Sequence, residues 1–208
     1  VIDLAAQAPD AGERTRAGAL AALLTPVVKS FFTERGFQLA SDALQVFGGY
    51  GYVHEYRIEQ ILRDSRIAMI YEGTNQIQAL DLLQRKVLSG PDGLAPLLEV
   101  FAAEAALPSA HAASLQSWCD TLAQATHALA QDAAQDAELP ARAAEDYLRL
   151  VGTVALAYTW CRAARVAQAL DPAHPAHTQK REGARYFFDY VLPGAAHWLR
   201  LVQAARHP

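Results

Sequence analysis

The sequence predicts an all-α fold built from two helical bundles. Apolar residues recur three and four positions apart along most of the chain, and no stretch shows the strict alternation expected of a strand. Alanine, the strongest helix former, supplies much of the 52% hydrophobic content. The helical pattern is interrupted by Gly90, Pro91 and Gly93, which cannot continue a helix. We therefore expect a first domain over residues 1–89 and a second over residues 94–208.

Composition excludes several classes of function. A net charge of -4 and a pI near 6.0, with scattered basic residues, give no electrostatic footprint for nucleic acid. The longest strongly apolar run, between Arg149 and Arg162, is shorter than the roughly 18 residues of a membrane span. Cys119 and Cys161 fall on apolar helix faces, so we interpret them as core thiols of a reducing compartment rather than a disulfide. A cytoplasmic protein is expected.

Residues 1–7 resemble the end of a helix whose start is missing, so we expect the chain to be the C-terminal part of a larger protein. A long helical pattern then covers residues 13–47. Pro26 either kinks this helix or begins a second one capped by Thr25. One face at helical spacing is expected to pack in the core. Its residues are Phe32, Gly36, Leu39, Ala43 and Val46.

Two glycines, Gly48 and Gly49, should end this long helix. A short helix over residues 56–65 follows, and Arg63 with Asp64 should close it. These two charges form either an exposed surface pair of little energetic value or a structural tie near a site.

The second half predicts four helices with short joins, which is typical of an antiparallel bundle. They cover residues 94–107, a stretch beginning at Pro108, a stretch beginning near Pro140, and a last helix bent at Pro193 and Gly194. His174 and His177 lie in a proline-rich joint without the further ligands that a metal site needs, so no metal is predicted. The three tryptophans are interpreted as core or interface anchors.

Residues 70–78 place a carboxylate at the mouth of a helix. Thr74 is a good N-cap for a helix over residues 75–88, and Glu72 stands just before it. Gly73 allows a tight bend, while free N–H groups of the first turn can receive phosphate or hydroxyl oxygens. Glu72 is then either a base beside a bound ligand or a solvated acid favoured by the helix dipole.

Three segments together favour a base at Glu72. Residues 43–52 (ALQVFGGYGY), residues 62–64 (LRD) and residues 70–78 (IYEGTNQIQ) together resemble, in order and spacing, the C-terminal signature of the acyl-CoA dehydrogenases. The resemblance covers about residues 29–88. It implies FAD-dependent α,β-dehydrogenation of an acyl-CoA thioester with Glu72 as the α-proton base. Tyr71 and Gly73 would lie along the acyl thioester.

The resemblance also implies a cofactor and partners. Thr74, Asn75 and Gln76 would touch the adenosine diphosphate end of FAD at the helix N-terminus. A second set would lie against the flavin of a neighbouring subunit, which implies a homo-oligomer. This set consists of Gln45, Val46, Phe47, Gly48 and Gly49. An electron-transfer flavoprotein is the expected redox partner.

The chain departs from typical members by continuing for more than a hundred residues past the helix that follows Glu72. This extension is similar to the tail of a subgroup that includes the methylthiopropanoyl-CoA dehydrogenases and some long-chain enzymes. The substrate is thus a short sulfur-containing acyl-CoA or an ordinary fatty acyl-CoA. The family's N-terminal helical and middle β domains are absent from these residues. We therefore expect the 208 residues alone neither to hold FAD tightly nor to turn over.

Two other functions remain open. One is a non-catalytic relative that acts as a binding protein, like the DNA-associated flavoproteins of this superfamily, although the acidic balance of the chain argues against it. The other is a purely structural helical module, against which the intact Glu72, Gly73 and Thr74 argue.

Overall fold

The computed structural model describes residues 1–90 and 92–206, and all regular structure in these residues is helical. This confirms the all-α prediction. Pro91, one of the residues that divide the sequence, lies outside the described part. The α-helices are α1 Ile2–Gln7, α2 Ala11–Val27, α3 Thr33–Phe47, α4 Gly49–Tyr52, α5 Ile58–Ile67, α6 Asn75–Leu80, α7 Ala95–Ala105, α8 Ala112–Ala133, α9 Leu139–Gln168, α10 Pro175–Tyr186 and α11 Ala195–Ala205.

Three π-helical segments join some of these helices. They are Val28–Phe32 between α2 and α3, Asp81–Leu88 after α6, and Phe187–Val191 after α10. Short 3₁₀ turns occupy His54–Tyr56 and Leu192–Gly194. The second of these turns contains Pro193 and Gly194 and separates the π segment Phe187–Val191 from α11. In the described ranges, no helix has the length and apolar character needed to cross a membrane.

The long helix of the first half continues through Pro26. Asp10 caps its start by accepting a hydrogen bond from the Glu13 N–H at 2.6 Å. Thr25 does not act as a cap, because its hydroxyl donates to the Ala21 carbonyl at 2.7 Å. The backbone widens into the π segment directly after the proline. Helical backbone thus runs without interruption from residue 11 to residue 47.

The prediction of a core face on α3 is wrong for this chain. Phe32, Leu39 and Val46 are 49%, 65% and 86% exposed, and Gly36 and Ala43 are exposed as well. The periodicity is real, but α3 packs on α4 and α5, and none of its own residues is buried. No described element covers this apolar face of α3, which is therefore available to contact another protein surface.

Arg63 and Asp64 do not close α5, which continues to Ile67. Arg63 donates instead to Glu59, one turn earlier, with 2.7 Å between Nε and Oε2. Hydrogen bonds from Arg63 and His54 lower the pKa of the Glu59 carboxyl. Since Arg63 is 65% exposed, the surface-pair alternative describes this contact better than a tie near a site.

Helix α9 organises the hydrophobic core. Fifteen of its 30 residues are buried, and they face several directions around the helix. Helices α8, α10 and α11 pack on it from the second half, while α6 and the π segments Val28–Phe32 and Asp81–Leu88 pack on it from the first. One cluster of buried side chains therefore runs from Leu23 to Val202. The division of the chain into two domains near residues 89–94 remains a prediction.

Polar contacts also tie neighbouring helices to α9. Buried Glu104 of α7 accepts two hydrogen bonds from Arg165 of α9, at 2.5 and 2.9 Å. The hydroxyls of Tyr147 and Thr126 lie 2.7 Å apart and join α9 to α8. Cys119 and Cys161 are buried free thiols, as predicted, and burial raises the pKa of the Cys119 thiol to about 11.

A close contact between Phe31 and Gly152 joins the two halves. Phe31 is 2% exposed and lies in the π segment after α2. A Cβ atom added at Gly152 would stand 2.6 Å from Phe31 Cγ, inside the van der Waals distance. Gly152 therefore costs α9 some helix propensity but lets a large aromatic ring reach the helix backbone.

Substitution of Gly152 should thus destabilise the protein. We expect Gly152→Ala to lower the free energy of unfolding by about 1–3 kcal/mol, since the ring must move or the helices must separate. Gly18→Ala is the matched control, because a Cβ there meets no atom within 4 Å and the change should add about 0.5–1 kcal/mol. Urea denaturation measures both. Equal effects of the two variants would contradict the contact.

Candidate functional site

The segment that carries Glu72 connects α5 to α6. After α5 the chain makes a turn in which the N–H groups of Ile70 and Tyr71 both donate to the Ile67 carbonyl, at 2.9 and 3.2 Å. Glu72 and Gly73 form a bend, and α6 begins at Asn75 as the sequence predicted. The Glu72 side chain is exposed.

The bend depends on an unusual backbone conformation. Glu72 has a φ of 58° and Gly73 a φ of 85°. Glycine adopts such values easily, whereas a glutamate at positive φ is uncommon and carries strain. Strain of this kind often occurs at functional sites, where the surrounding structure holds it in place. The bend turns Glu72 toward the exposed side of the α6 N-terminus.

Gln78 fixes the bend from within α6. Its side-chain amide donates to the Glu72 carbonyl at 3.2 Å. A Cβ atom at Gly73 would stand 2.9 Å from the same amide nitrogen, so glycine is required for this contact. Within the described chain, no residue accepts a hydrogen bond from the Glu72 N–H. This group remains available at the bend.

The start of α6 is capped as predicted. The Thr74 hydroxyl accepts a hydrogen bond from the Ile77 N–H at 3.4 Å. Asn75 Oδ1 lies 3.3 Å from Thr33 Oγ1, which connects α6 to the start of α3. The N–H groups of Asn75 and Gln76 have no acceptor among the described residues. They can therefore receive an anionic or hydroxyl oxygen.

The second predicted set lies at the other end of α3. The helix ends at Phe47, and Gly48, with a φ of 59°, turns the chain as predicted. Gln45, Val46, Phe47, Gly48 and Gly49 are all exposed. In the parts of the chain that the structure covers, no hydrogen bond or salt bridge joins this set to Tyr71, Glu72 or the start of α6. Among the described residues, neither hydrogen bonds nor salt bridges bring the two predicted sets together.

Exposed aromatic and aliphatic side chains surround both sets. Tyr50, Tyr52, Tyr71 and Ile77 are 66%, 77%, 54% and 57% exposed. Isolated exposed apolar residues are ordinary, but their concentration between residues 39 and 77 is typical of a surface that contacts another body.

Lys29 is a contact of this segment that sequence reasoning missed. Its Nζ donates to the Ala68 carbonyl at 2.5 Å and stands 5.9 Å from the centre of the Tyr71 ring. The signal available in the sequence was a lone cation shortly after Pro26, in an otherwise apolar stretch of helix. The structure shows this cation to be half-buried. His174, one of the residues considered as a metal ligand, has a different role. It accepts a hydrogen bond from the Ala176 N–H and caps α10.

Two family models together match nearly the whole chain. Residues 3–87 match the family model for the acyl-CoA dehydrogenase C-terminal domain, and residues 94–208 match the model described as acetyl-CoA dehydrogenase C-terminal like. The chain belongs to the acyl-CoA dehydrogenase family. The second match accounts for the extension beyond the helix that follows Glu72.

Three relatives illustrate the range of similarity to this acyl-CoA dehydrogenase chain. The 3-methylmercaptopropionyl-CoA dehydrogenase of Ruegeria pomeroyi is 36% identical over 81% of the chain and 30% of its own length. An acyl-CoA dehydrogenase of Bacillus subtilis is 42% identical over 31% of the chain and 17% of its length. A broad-specificity linear acyl-CoA dehydrogenase of Mycobacterium tuberculosis is 42% identical over 32% and 11%. The chain thus spans less than a third of each of these relatives.

The strained bend gives a testable prediction for stability. Glu72→Gly should raise the free energy of unfolding by about 0.5–1 kcal/mol, because glycine removes the cost of a positive φ. Glu72→Gln keeps the strain and should change stability by less than about 0.3 kcal/mol. Gly73→Ala should have the opposite sign, with a loss of about 1–2 kcal/mol. Urea denaturation compares the three, and a destabilised Glu72→Gly would refute the assignment of strain.

Proposed function

We propose that the protein containing this chain is an FAD-dependent acyl-CoA dehydrogenase in which Glu72 removes the α-proton of an acyl-CoA thioester. The observation that carries this proposal is the bend at Glu72. It presents an exposed carboxylate at positive φ beside a free backbone N–H, directly before a capped helix. The family membership of the chain supports the same chemistry.

The residues of the bend fit the demands of α-proton removal. A carbon acid gives up its proton only if the developing enolate is stabilised at the carbonyl oxygen. The Glu72 N–H is free to donate to that oxygen, while the Glu72 carboxylate accepts the proton. FAD, when bound, supplies the acceptor for the hydride that leaves the β-carbon. Tyr71 and Gly73 would lie along the thioester and hold the α-carbon near the carboxylate.

The chain offers surfaces that suit FAD. Thr74, Asn75 and Gln76 present polar groups and free N–H donors at the start of α6, suitable for the adenosine diphosphate oxygens. Gln45, Val46 and Phe47 are exposed at the end of α3. Beside them, no atom lies within 4 Å of a Cβ built at Gly48 or Gly49, so a flat ligand can approach the backbone closely. These residues would contact the flavin of a neighbouring subunit.

We infer a homo-oligomer. Among the described residues, no hydrogen bond or salt bridge joins the two cofactor-binding sets, which supports a site shared between two copies. The exposed face of α3, with Leu39 and Val46, supplies apolar surface for such an interface or for the remainder of the protein. An electron-transfer flavoprotein would accept the electrons, and the enzyme would work in the cytoplasm.

The substrate is an acyl-CoA, either short and sulfur-containing or an ordinary fatty acyl-CoA. The relative named for 3-methylmercaptopropionyl-CoA aligns with 81% of the chain, whereas the one named for linear acyl-CoA aligns with 32%. This favours methylthiopropanoyl-CoA as the first thioester to test. The 208 residues alone should bind FAD weakly and lack turnover.

The direct test follows flavin absorbance in the full-length protein during titration with acyl-CoAs of increasing length and with methylthiopropanoyl-CoA. We expect bleaching in the wild type and a rate about 10³-fold lower in Glu72→Gln, which keeps the size of the side chain but removes the base. Glu99→Gln, at an exposed position of α7, should bleach like the wild type.

Two outcomes would contradict the proposal. Bleaching by Glu72→Gln at the wild-type rate would remove Glu72 from the chemistry. Bound flavin that no thioester bleaches in the wild type would favour the non-catalytic binding protein instead.

The exposed face of α3 gives a second test. Leu39→Glu places a charge on the proposed interface and should weaken subunit association by at least about 100-fold, because burying an unpaired carboxylate is costly. Val166→Glu is the control, since Val166 of α9 is 49% exposed and belongs to the extension. Sedimentation of the full-length protein measures both. An unchanged oligomer in Leu39→Glu would exclude this face.

A further inference from the structure

Lys29 makes two contacts with the loop that leads to Glu72. Its ammonium group donates to the Ala68 carbonyl at 2.5 Å, although 39 residues separate the two in sequence. The same group stands 5.9 Å from the ring centre of Tyr71, within the range of a cation–π attraction. No carboxylate of the described residues forms a salt bridge with Lys29. The charge of Lys29 is therefore directed to this loop.

The backbone of Lys29 is itself firmly held. It lies in the π segment Val28–Phe32, and π segments are rare and frequent at functional sites. Phe31, two residues further on, is buried against Gly152 of α9. Ser30 is 3% exposed. Because its backbone is already held in place, the half-buried Lys29 side chain loses little additional conformational entropy when it binds the loop.

The contacts of Lys29 and Gln78 hold the Glu72 bend from both sides. Lys29 binds Ala68, four residues before Glu72, and the ring of Tyr71, one residue before it. Gln78 binds the Glu72 carbonyl from α6. The strained φ of Glu72 needs such support, because an unsupported bend would relax toward negative φ.

We propose that Lys29 is a positioning residue, which fixes the loop between α5 and α6 and so aims the Glu72 carboxylate. Lys29 does not touch the reacting atoms in this account and acts through Ala68 and Tyr71. The catalytic part of the inference rests on the proposed function, whereas the effect on the loop does not. Loss of the lysine should leave substrate binding largely intact but misplace the base.

The first experiment measures amide hydrogen exchange in the full-length protein. Lys29→Met removes the charge and the donor but keeps the aliphatic stem. We expect exchange at residues 69–71, whose N–H groups are hydrogen-bonded in the loop, to rise by about tenfold, with α9 unchanged. Lys29→Arg should restore most of the protection. Lys180→Met is the matched control, because Lys180 also stands 5.9 Å from an aromatic ring, that of Trp160, at a distant place in the sequence.

The second experiment measures turnover with the best thioester. In Lys29→Met, kcat should fall by about 10- to 100-fold, since a displacement of about 1 Å can cost that much, while KM changes less than about threefold. Lys29→Arg should recover most of kcat, and Lys180→Met should match the wild type.

The outcomes separate the two proposals. Unchanged exchange at residues 69–71 in Lys29→Met would overturn the positioning role, and so would faster exchange throughout α9, which would mark a general structural role. Faster exchange confined to the loop would support it. If the wild type turned over no thioester, the proposed function would fail, while the exchange result would still decide the role of Lys29 in the loop.

Discussion

The burial of half of α9 is the constraint on which the rest of the structure depends. Its residues 147–154 are buried or half-buried on every side of the helix, and such a stretch is stable only if other elements cover it. Helices α8, α10 and α11 supply part of that cover, and α6 with the π segments Val28–Phe32 and Asp81–Leu88 supplies the rest. The segment that follows Glu72 is thus packed on the extension, and Phe31 of the π segment after α2 packs against Gly152 of α9.

Local features of the fold could be predicted because their causes lie within a few residues. The cap at Thr74 and the helix end at Gly48 depend on side-chain hydrogen bonding and on a positive φ, both of which short sequences encode. The apolar face of α3 shows the opposite case. Leu39 and Val46 have the periodicity of a core, but periodicity does not say which chain covers it. The sequence also left open whether the helix would continue through Pro26, because the π segment that follows depends on packing against other elements.

The candidate site was predictable to the same extent. A short motif pointed to Glu72 and to the residues on either side of it, and the structure places them at one bend. Neither the strained φ nor the contact of Lys29 with Ala68 could be read from the motif, because the contact spans 39 residues and depends on how the π segment after α2 lies against the turn after α5. The motif thus points to the proposed base, while tertiary structure determines what holds it.

The continuous core restricts which substitutions the chain can accumulate during evolution. Side chains of α9 pack against both the extension and the segment that carries Glu72, so a substitution in α9 must be compatible with both sets of neighbours. Phe31 and Gly152 illustrate this, because a larger residue at one position is acceptable only with a smaller one at the other. The extension is therefore not an interchangeable module, and its replacement by an unrelated bundle would require matching changes in the π segment after α2.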